Sequence, residues 1–450
     1  MIFRALVLIV LSFDRGSIVA KGGPVPYGKY DANSDSYRAP AHRYGEIIEH
    51  LSRNELEWED EVFEGLECPR LASRIELRDY QGEALSAWRK AGHRGLIVLP
   101  TGAGKTVIAM KAVEELCEAT LIVVPTLVLA DQWRQRLEED FGIKIGAVGG
   151  GSRQVRAITV ATYDSASIRA DRMGNLFKLI IFDEVHHLPA ESYRQIGLKY
   201  IAPHRMGLTA TLARDDGSRI SLMELVGDVV YEMAVDDLAG THLADYTVQT
   251  IHVPLSPEEQ REYDKGFAVY RDFLRRRGIK IRSARDYQRF VMRTGRDPEA
   301  RRALLARNMA MDVALNSSTK VEYLKHLIQS NPEEKTLVFT RHNKLVYRIS
   351  REMLIPAITH QTPQEEREEI LRKFRQGRYM RIVTSEVLDE GVDIPDASMA
   401  VILSGTGSSR QFVQRLGRVL RKMKGKQARL VELVSRGTAE TRISRRRRQG

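Results

Sequence analysis

The sequence predicts an α/β protein. It reads as two parallel-sheet domains, preceded by a small α+β domain and separated by a basic helical insert. Three observations carry this. Short apolar runs alternate with longer amphipathic segments over residues 75–240 and again after 316. A glycine-rich loop lies between one such run and a helical stretch. Charge is unevenly spread, so residues 1–70 and 261–310 differ from their surroundings. At 450 residues the chain is too long for one ordinary core, and two or three domains are expected. With 43% hydrophobic and 29% charged residues it has a globular composition. Its net charge of +11 favours a polyanionic partner, although basic charge alone is a weak signal.

The first segment, residues 1–70, opens with Arg4 and an apolar stretch over 5–11 that imitates a short signal peptide. It is too short to span a bilayer, and no other stretch approaches transmembrane length. The preferred reading is a β-hairpin of "LVLIVLSF" and "SIVAKG", with Asp14, Arg15 and Gly16 supplying the turn. A turn-rich "PVPYGKYDANSDSYRAP" and an acidic, helix-like stretch over 44–67 follow. Eight Lys and Arg against twelve Asp and Glu leave residues 1–70 at −4. Cys68 and Cys117 are the only cysteines. Their distance in sequence excludes a disulfide framework and a Cys-rich metal site, so a reducing cytoplasm is expected.

The second segment, 71–245, carries "GLIVLP", "TLIVVP", "AITVAT" and "KLIIFD". Strands this uniformly apolar are buried on both faces, as in a parallel sheet covered by helices. Segment 316–450 repeats the texture with "TLVFT", "RIVTSE", "MAVILS" and "ARLVELV". Between them, in the insert 255–315, residues 261–310 hold 15 Lys and Arg against 6 Asp and Glu. Tyr263, Phe267, Tyr270 and Leu274 recur at helical spacing. The insert reads either as a solvated helical arm with an apolar seam or as an arm laid against phosphates. The second is preferred, with Arg275, Arg276 and Arg277 as contacts. Residues 445–448 form an arginine cluster expected to be a disordered tail.

Chemistry concentrates in "LPTGAGKT", residues 99–106, set between the strand "GLIVL" and the helical "VIAMKAVEEL". Thr101, Gly102, Ala103 and Gly104 offer backbone N–H groups to phosphate oxygens, aided by the helix dipole. Lys105 would reach the β and γ phosphates, and the Thr106 hydroxyl would hold Mg²⁺. Leu99 stands where the motif's first glycine usually lies.

"IIFDEVHHL" then supplies the partner acids. Asp183, 78 residues beyond Lys105, ends an apolar strand and would complete the magnesium shell. Glu184 would polarise the attacking water. A zincin site is excluded because "DEVHH" lacks H-E-x-x-H spacing, and a glycosidase pair because adjacent residues do not flank a sugar. His186 is expected to relay between the γ phosphate and the rest of the protein, and His187 to be structural. Thr209, Ala210 and Thr211 would receive that relay at another strand end. In "QFVQRLGRVLRK", Gln414, Arg418 and Arg421 lie close together on a helical stretch. An arginine delivered from another domain raises phosphoryl-transfer rates by ~10³–10⁵, so Arg418 and Arg421 are read as arginine fingers.

The ordered set "LRDYQ", "PTGAGKT", "VVPTLVLADQW", "VATYDS", "DEVHH", "LTAT", "LVFT", "SEVLDEGVDIP" and "QRLGRVLR" resembles superfamily 2 helicases over residues 75–435. Within them the chain looks most like the archaeal XPB family. The resemblance implies two RecA-like motor domains, 71–245 and 316–450. It also implies a damage-recognition-like domain over 1–70 and a thumb-like insert. It implies adenine recognition by Arg78 and Gln81, and coupling of DNA grip to ATP by Gly391 and Asp393. Pro125, Thr126, Thr162, Tyr163 and Thr384 match DNA-contacting motifs. Arg214, Asp215 and Asp216 match a duplex-opening motif, R-E-D, whose middle residue is one methylene shorter here. The implied activity is 3′ to 5′ DNA unwinding driven by Mg²⁺ and ATP, in excision repair or transcription-linked melting. The implied enzyme is a nucleoid-associated archaeal monomer acting on forks, bubbles or single-strand–duplex junctions, beside a nuclease partner and away from membranes. A double-stranded DNA translocase, an RNA helicase and an ATP-switched scaffold for that nuclease are the rivals. Tyr27, Tyr30 and Tyr37 are read as base-stacking, core or docking residues, because the domain's charge argues against broad phosphate binding.

Overall fold

A computed structural model describes residues 8–210, 212, 218–233, 246–385, 397–404 and 428–449. Near Leu238 the chain divides into two compact units.

The first unit begins with β1 (Ile9–Asp14) and β2 (Ser17–Lys21), antiparallel with Asp14 opposite Ser17. Arg15 and Gly16 both have positive φ, 48° and 87°, the requirement of a two-residue primed turn. The expected hairpin is therefore present. Strands β3 (Lys29–Asp31), β4 (Ser36–Pro40) and β5 (Trp58–Glu61) complete a sheet ordered β3-β4-β2-β1-β5. The acidic helix expected over 44–67 is shorter. Helix α1 spans Tyr44–Arg53, Glu55 turns left-handed at φ 49°, and Trp58–Glu61 pairs parallel to β1. Ladder hydrogen bonds there outweigh the helical propensity of an acid-rich run. Leu11, Ile18, Ala39, Ile47, Leu51 and Val62 form the core.

After Val62 the chain runs without regular structure to Arg78, then enters α2 (Asp79–Lys90), β6 (Arg94–Val98), α3 (Lys105–Leu116), β7 (Thr120–Val124) and α4 (Leu127–Phe141). Next come β8 (Gly146–Gly149), β9 (Ser152–Gln154), β10 (Ile158–Thr162), α5 (Tyr163–Ile168), α6 (Ala170–Met173) and β11 (Leu179–Asp183). The series ends with α7 (Glu191–Lys199), β12 (His204–Thr209), α8 (Ser218–Leu225) and β13 (Val229–Glu232). Among the described residues the strand order is β13-β6-β12-β11-β7-β10-β8-β9, parallel except for the β8–β9 hairpin. Such a sheet puts the loops after β6, β11 and β12 side by side at the carboxyl edge.

The small sheet docks on this one. Ile201 completes its core, and the buried His42 ring bonds the Leu198 carbonyl at 3.3 Å. Asn175 Nδ2 donates to the Val62 carbonyl at 3.1 Å. Burial first, then the charges of Arg205 and Arg43, hold His42 down to about 4, so it packs neutral.

In the second unit β14 (Tyr246–Val253) leads into three helices, α9 (Pro257–Arg276), α10 (Ala284–Arg293) and α11 (Pro298–Leu315). A sheet ordered β14-β19-β18-β15-β17-β16 follows, parallel throughout, with β15 at Thr336–Phe339, β16 at Ala357–Ile358, β17 at Arg381–Thr384, β18 at Met399–Ile402 and β19 at Ala428–Ser435. The helical insert is built on the seam the spacing predicts: Tyr263 stacks on Phe267 at 5.3 Å, and Tyr270 and Phe273 close on Phe290. Residues 445–448 are not a disordered tail. They continue the helix Glu440–Gln449, whose root is fixed by the buried Lys320–Glu440 pair at 2.8 Å.

Gly174 tests the docking of the small sheet. A Cβ there would lie 2.5 Å from the Lys199 carbonyl oxygen and 2.6 Å from Phe13 Cζ. Gly174→Ala should cost about 1–3 kcal/mol and lower Tm by several degrees in thermal unfolding. An unchanged Tm would mean Phe13 does not pack there.

Candidate active site

The loop 99–104 leaves β6 and is shaped by two left-handed glycines, Gly102 at φ 88° and Gly104 at φ 78°. Gly104 caps α3, so the helix's unpaired N–H groups open onto the loop. The loop is held from outside by α2. Tyr80 Oη and Gln81 Nε2 both donate to the Ala103 carbonyl, at 2.7 and 2.9 Å. Gln81 Oε1 accepts from the Arg78 backbone N–H at 3.0 Å. Gln81, expected to read adenine, is thus buried with its amide on the loop, whereas Arg78 is exposed.

Lys105 is 9% exposed, and its Nζ donates to the Leu99 and Pro100 carbonyls at 2.9 and 3.3 Å. Burial pushes its amine down from the ordinary value, opposed by Glu184 and Asp183. Thr101 Oγ1 is buried without a hydrogen-bond partner among the described residues. A lysine resting on loop carbonyls, an orphan hydroxyl and open helix N–H groups together fit a polyphosphate.

Asp183 ends β11, and its Oδ2 accepts from Trp133 Nε1 at 2.9 Å. Burial, then neighbouring Glu184, push its carboxyl up to about 6. Glu184 has φ 49°, an expensive conformation for a residue with a side chain. His186 Nδ1 lies 3.3 Å from Glu184 Oε2 and 3.3 Å from Thr209 Oγ1. The expected contact between His186 and the end of β12 is therefore present. His187 packs its ring against Tyr163 and His186. Ala210 follows, buried, whereas Thr211 lies outside the described residues.

Two expected strand-contacting side chains need correction. Tyr163 is 1% exposed, with its hydroxyl on the Asp183 carbonyl at 3.1 Å, so it supports the acid loop from beneath. Thr384 is buried and donates to the Ser385 carbonyl. Thr384 ends β17 and Tyr163 opens α5 directly after β10, and the core beside each sheet claims both side chains. Thr162 caps α5, accepting from Ser165 N, and is itself largely buried. Pro125 and the α4 cap Thr126 remain partly exposed.

Arg275, Arg276 and Arg277 are exposed but engaged, with Asp272 at 2.8 Å, Glu299 at 2.7 Å and Glu299 at 3.0 Å respectively. Arg214, Asp215, Asp216, Gly391, Asp393, Gln414, Arg418 and Arg421 lie outside the described residues. Tyr27 and Tyr30 are more than half exposed. Tyr30 leans on Tyr37 at 5.4 Å, and the Arg43 guanidinium covers the Tyr27 ring at 4.7 Å. Sequence reasoning missed Trp133 and Tyr80. Trp133 closes "VLADQW", but nothing local signals that its indole meets an acid fifty residues away. The described residues contain no metal-holding cluster of His, Cys, Asp or Glu, and no helix long and apolar enough to cross a membrane.

A phosphate loop, a strand-end acid pair and a histidine link to the next strand, all on one parallel sheet, make this the nucleotide site of a P-loop ATPase. Family models agree and refine the class. Residues 11–62 match the xeroderma pigmentosum group B helicase damage recognition domain, 74–214 the type III restriction enzyme res subunit, and 319–423 the helicase conserved C-terminal domain. The DNA 3′-5′ translocase XPB2 of Sulfurisphaera tokodaii is 46% identical over 98% of this chain and 100% of that protein. The DNA 3′-5′ helicase XPB of Mycobacterium tuberculosis is 31% identical over 77% of this chain and 58% of its own length. The yeast general transcription and DNA repair factor IIH helicase/translocase subunit XPB/SSL2 is 28% identical, with 84% and 44% covered. The helicase domain of Hef from Pyrococcus furiosus matches in fold, with a TM-score of 0.55 at 20% identity, over 83% of this chain and 99% of that one. The chain belongs to the XPB family of superfamily 2 helicases.

The acid pair yields a test. Asp183's folded-state pKa is raised above its unfolded value, so at pH 7 its ionised form costs stability, a cost that shrinks as pH falls below about 6 and is gone only below the ordinary carboxylate pKa of 3.8. Asp183→Asn should keep the Trp133 hydrogen bond and raise the Tm of the nucleotide-free protein while abolishing ATP turnover. A lower Tm would show that the carboxylate stabilises the fold.

Proposed function

We propose that the chain is an ATP-dependent DNA motor that moves 3′ to 5′ and opens strands in repair or transcription-linked melting. The observation that carries the reading is the join between Glu184, His186 and Thr209, because it links a hydrolytic acid to a second strand end. The 46% identity to a DNA 3′-5′ translocase supports the polarity and the substrate.

Lys105 exchanges the Leu99 and Pro100 carbonyls for phosphate oxygens. When bound, Mg²⁺ would supply positive charge to the polyphosphate, and the Thr106 hydroxyl and Asp183 are the residues that would hold it. Trp133 orients Asp183 for that task. Glu184 polarises the attacking water. His186 senses the acid's state and passes it to Thr209. Arg418 and Arg421, with Gln414, supply charge to the γ phosphate, and Gly391 and Asp393 couple it to grip on DNA. Arg214, Asp215 and Asp216 act in strand opening. The enzyme works as a monomer, alone or beside a nuclease. The second reading is a duplex translocase without processive unwinding; the name of the same relative, a DNA 3′-5′ translocase, favours movement along DNA over unwinding.

ATP hydrolysis measured with single-stranded DNA, duplex, bubble DNA and RNA tests the proposal. DNA should stimulate, and Lys105→Ala should remove turnover by at least a hundredfold. Stimulation by RNA alone would overturn the substrate. No response to any polymer would favour an ATP-switched scaffold.

The insert's phosphate contacts are reassigned. Because Arg275–Arg277 are matched by carboxylates, Arg301 and Arg302 are better placed: both are exposed, and neither has an ion-pair partner among the described residues. Replacing both with Ala should flatten the salt dependence of duplex binding by up to ~0.9 log unit per contact, and Arg276→Ala should change it less. Equal slopes would return the insert to a solvated arm.

A further inference from the structure

The two cysteines lie 49 residues apart in sequence but come together in the fold. Cys68 sits in the irregular segment between the N-terminal sheet and α2, and Cys117 is the C-cap of α3, the helix that begins at Lys105. Cys117 Sγ donates to the Pro69 carbonyl at 3.2 Å, next door to Cys68 in the chain. After burial, the neighbouring Cys117 thiol is the next cause that raises Cys68 above the ordinary thiol value, as expected of two thiols held close. One helical turn back, Glu114 pins the same segment, accepting from Ser73 N at 2.9 Å and Ser73 Oγ at 2.6 Å. The thiols therefore meet because the segment is laid along the end of α3. Cys117 also adopts φ 49°, a cap position where glycine or asparagine is the unstrained choice. A strained backbone bearing a thiol that reaches the carbonyl next to a second cysteine is the kind of outlier that points to use. Both cysteines are partly exposed, so a small oxidant can reach them.

We propose that Cys68 and Cys117 form a reversible disulfide that locks the segment after the N-terminal sheet to the end of the phosphate-loop helix. This inference is independent of the motor reading. The oxidant is a small-molecule disulfide. The Cys117 thiolate attacks one of its sulfurs, forming a mixed disulfide and expelling the first thiolate. The Cys68 thiolate then attacks Cys117 Sγ and expels the second. Two cysteine protons are released, the cysteines lose two electrons, and the oxidant becomes two thiols. Burial and the neighbouring thiol push Cys68 up to about 12, so Cys117 attacks first and Cys68 resolves by proximity, faster as pH rises. The crosslink closes a loop that contains α2, β6 and the whole phosphate loop, which removes conformational freedom from the unfolded chain.

The full-length protein is incubated with oxidised glutathione, quenched by alkylation and mapped by mass spectrometry without reduction. Expected is one peptide pair joined through Cys68 and Cys117, loss of both titratable thiols, and a Tm several degrees above the reduced form that dithiothreitol reverses. Cys68→Ser and Cys117→Ser should each show no such rise. Glutathione adducts on separate cysteines, intermolecular dimers, or no oxidation in the folded protein would overturn the proposal. So would a crosslink that leaves Tm unchanged, since the segment would then not be locked.

Discussion

The site depends on keeping two adjacent carboxylates and one ammonium out of water together. Neighbours on a strand alternate faces, so a buried Asp-Glu pair at a strand end would ordinarily point apart. The left-handed backbone at Glu184 breaks that alternation and keeps both acids within range of Lys105. Such a conformation costs about 1–3 kcal/mol and persists only when its surroundings over-determine it. Here the Trp133 indole, the Tyr163 hydroxyl and the His186 ring do so, each holding a different atom of the acid loop. Removing Trp133 or His186 leaves a carboxylate short of a partner, and removing the Tyr163 hydroxyl leaves a buried carbonyl short of a donor, each more expensive than never having built the contact.

The sheet order follows from the same requirement. Placing β12 between β6 and β11 brings the lysine loop, the acid loop and Thr209, the hydroxyl that meets His186, to one edge. The opposite edge is given to stability. There Arg205, fully buried at the start of β12, donates to the carbonyls of Ala202, Gly197, Leu225 and Tyr200 and closes the ends of two helices. Burial pushes its guanidinium down to about 9. A charge satisfied only by carbonyls is tolerable because so many of them converge on it. One strand thus carries a functional terminus and a structural one.

What the sequence made legible was local. The glycine loop, the Asp183–Glu184 pair, the hairpin at Arg15–Gly16 and the aromatic seam of the insert each declare themselves through neighbours within a few residues, where spacing fixes geometry. What it hid was long-range or competitive. The pairing of β5 with β1 overrides an acidic run that reads as helix, and Tyr163 and Thr384 sit in motifs that look exposed but are claimed by the sheet interior. The neutralisation of Arg276 and Arg277 depends on Glu299, on another helix. Cys68 and Cys117 lie far apart in sequence, and only the path of the linking segment brings Cys117 to the carbonyl of Pro69. Helical residues 445–448 were read from charge density, whereas the ion pair anchoring their helix at Glu440 lies outside the run.

The segment from Val62 to Arg78 has no ladder of its own, so its course is set by side-chain anchors: Phe63 in the small core, Leu66 in the large one, Ser73 on Glu114 and Pro69 on Cys117. It then delivers Arg78 as the cap of α2, and three residues later Gln81 reaches the Ala103 carbonyl. The N-terminal sheet is therefore connected, through the chain and this hydrogen bond, to the phosphate loop. Gln81 has one amide group, and in the conformation described here it is committed to Ala103. In the proposed adenine-reading role Gln81 would exchange that bond, so base recognition and loop conformation would draw on the same donor and be coupled. An N-terminal domain that merely tethered the motor would need no such path; this one is continuous with the segment whose Gln81 holds the Ala103 carbonyl.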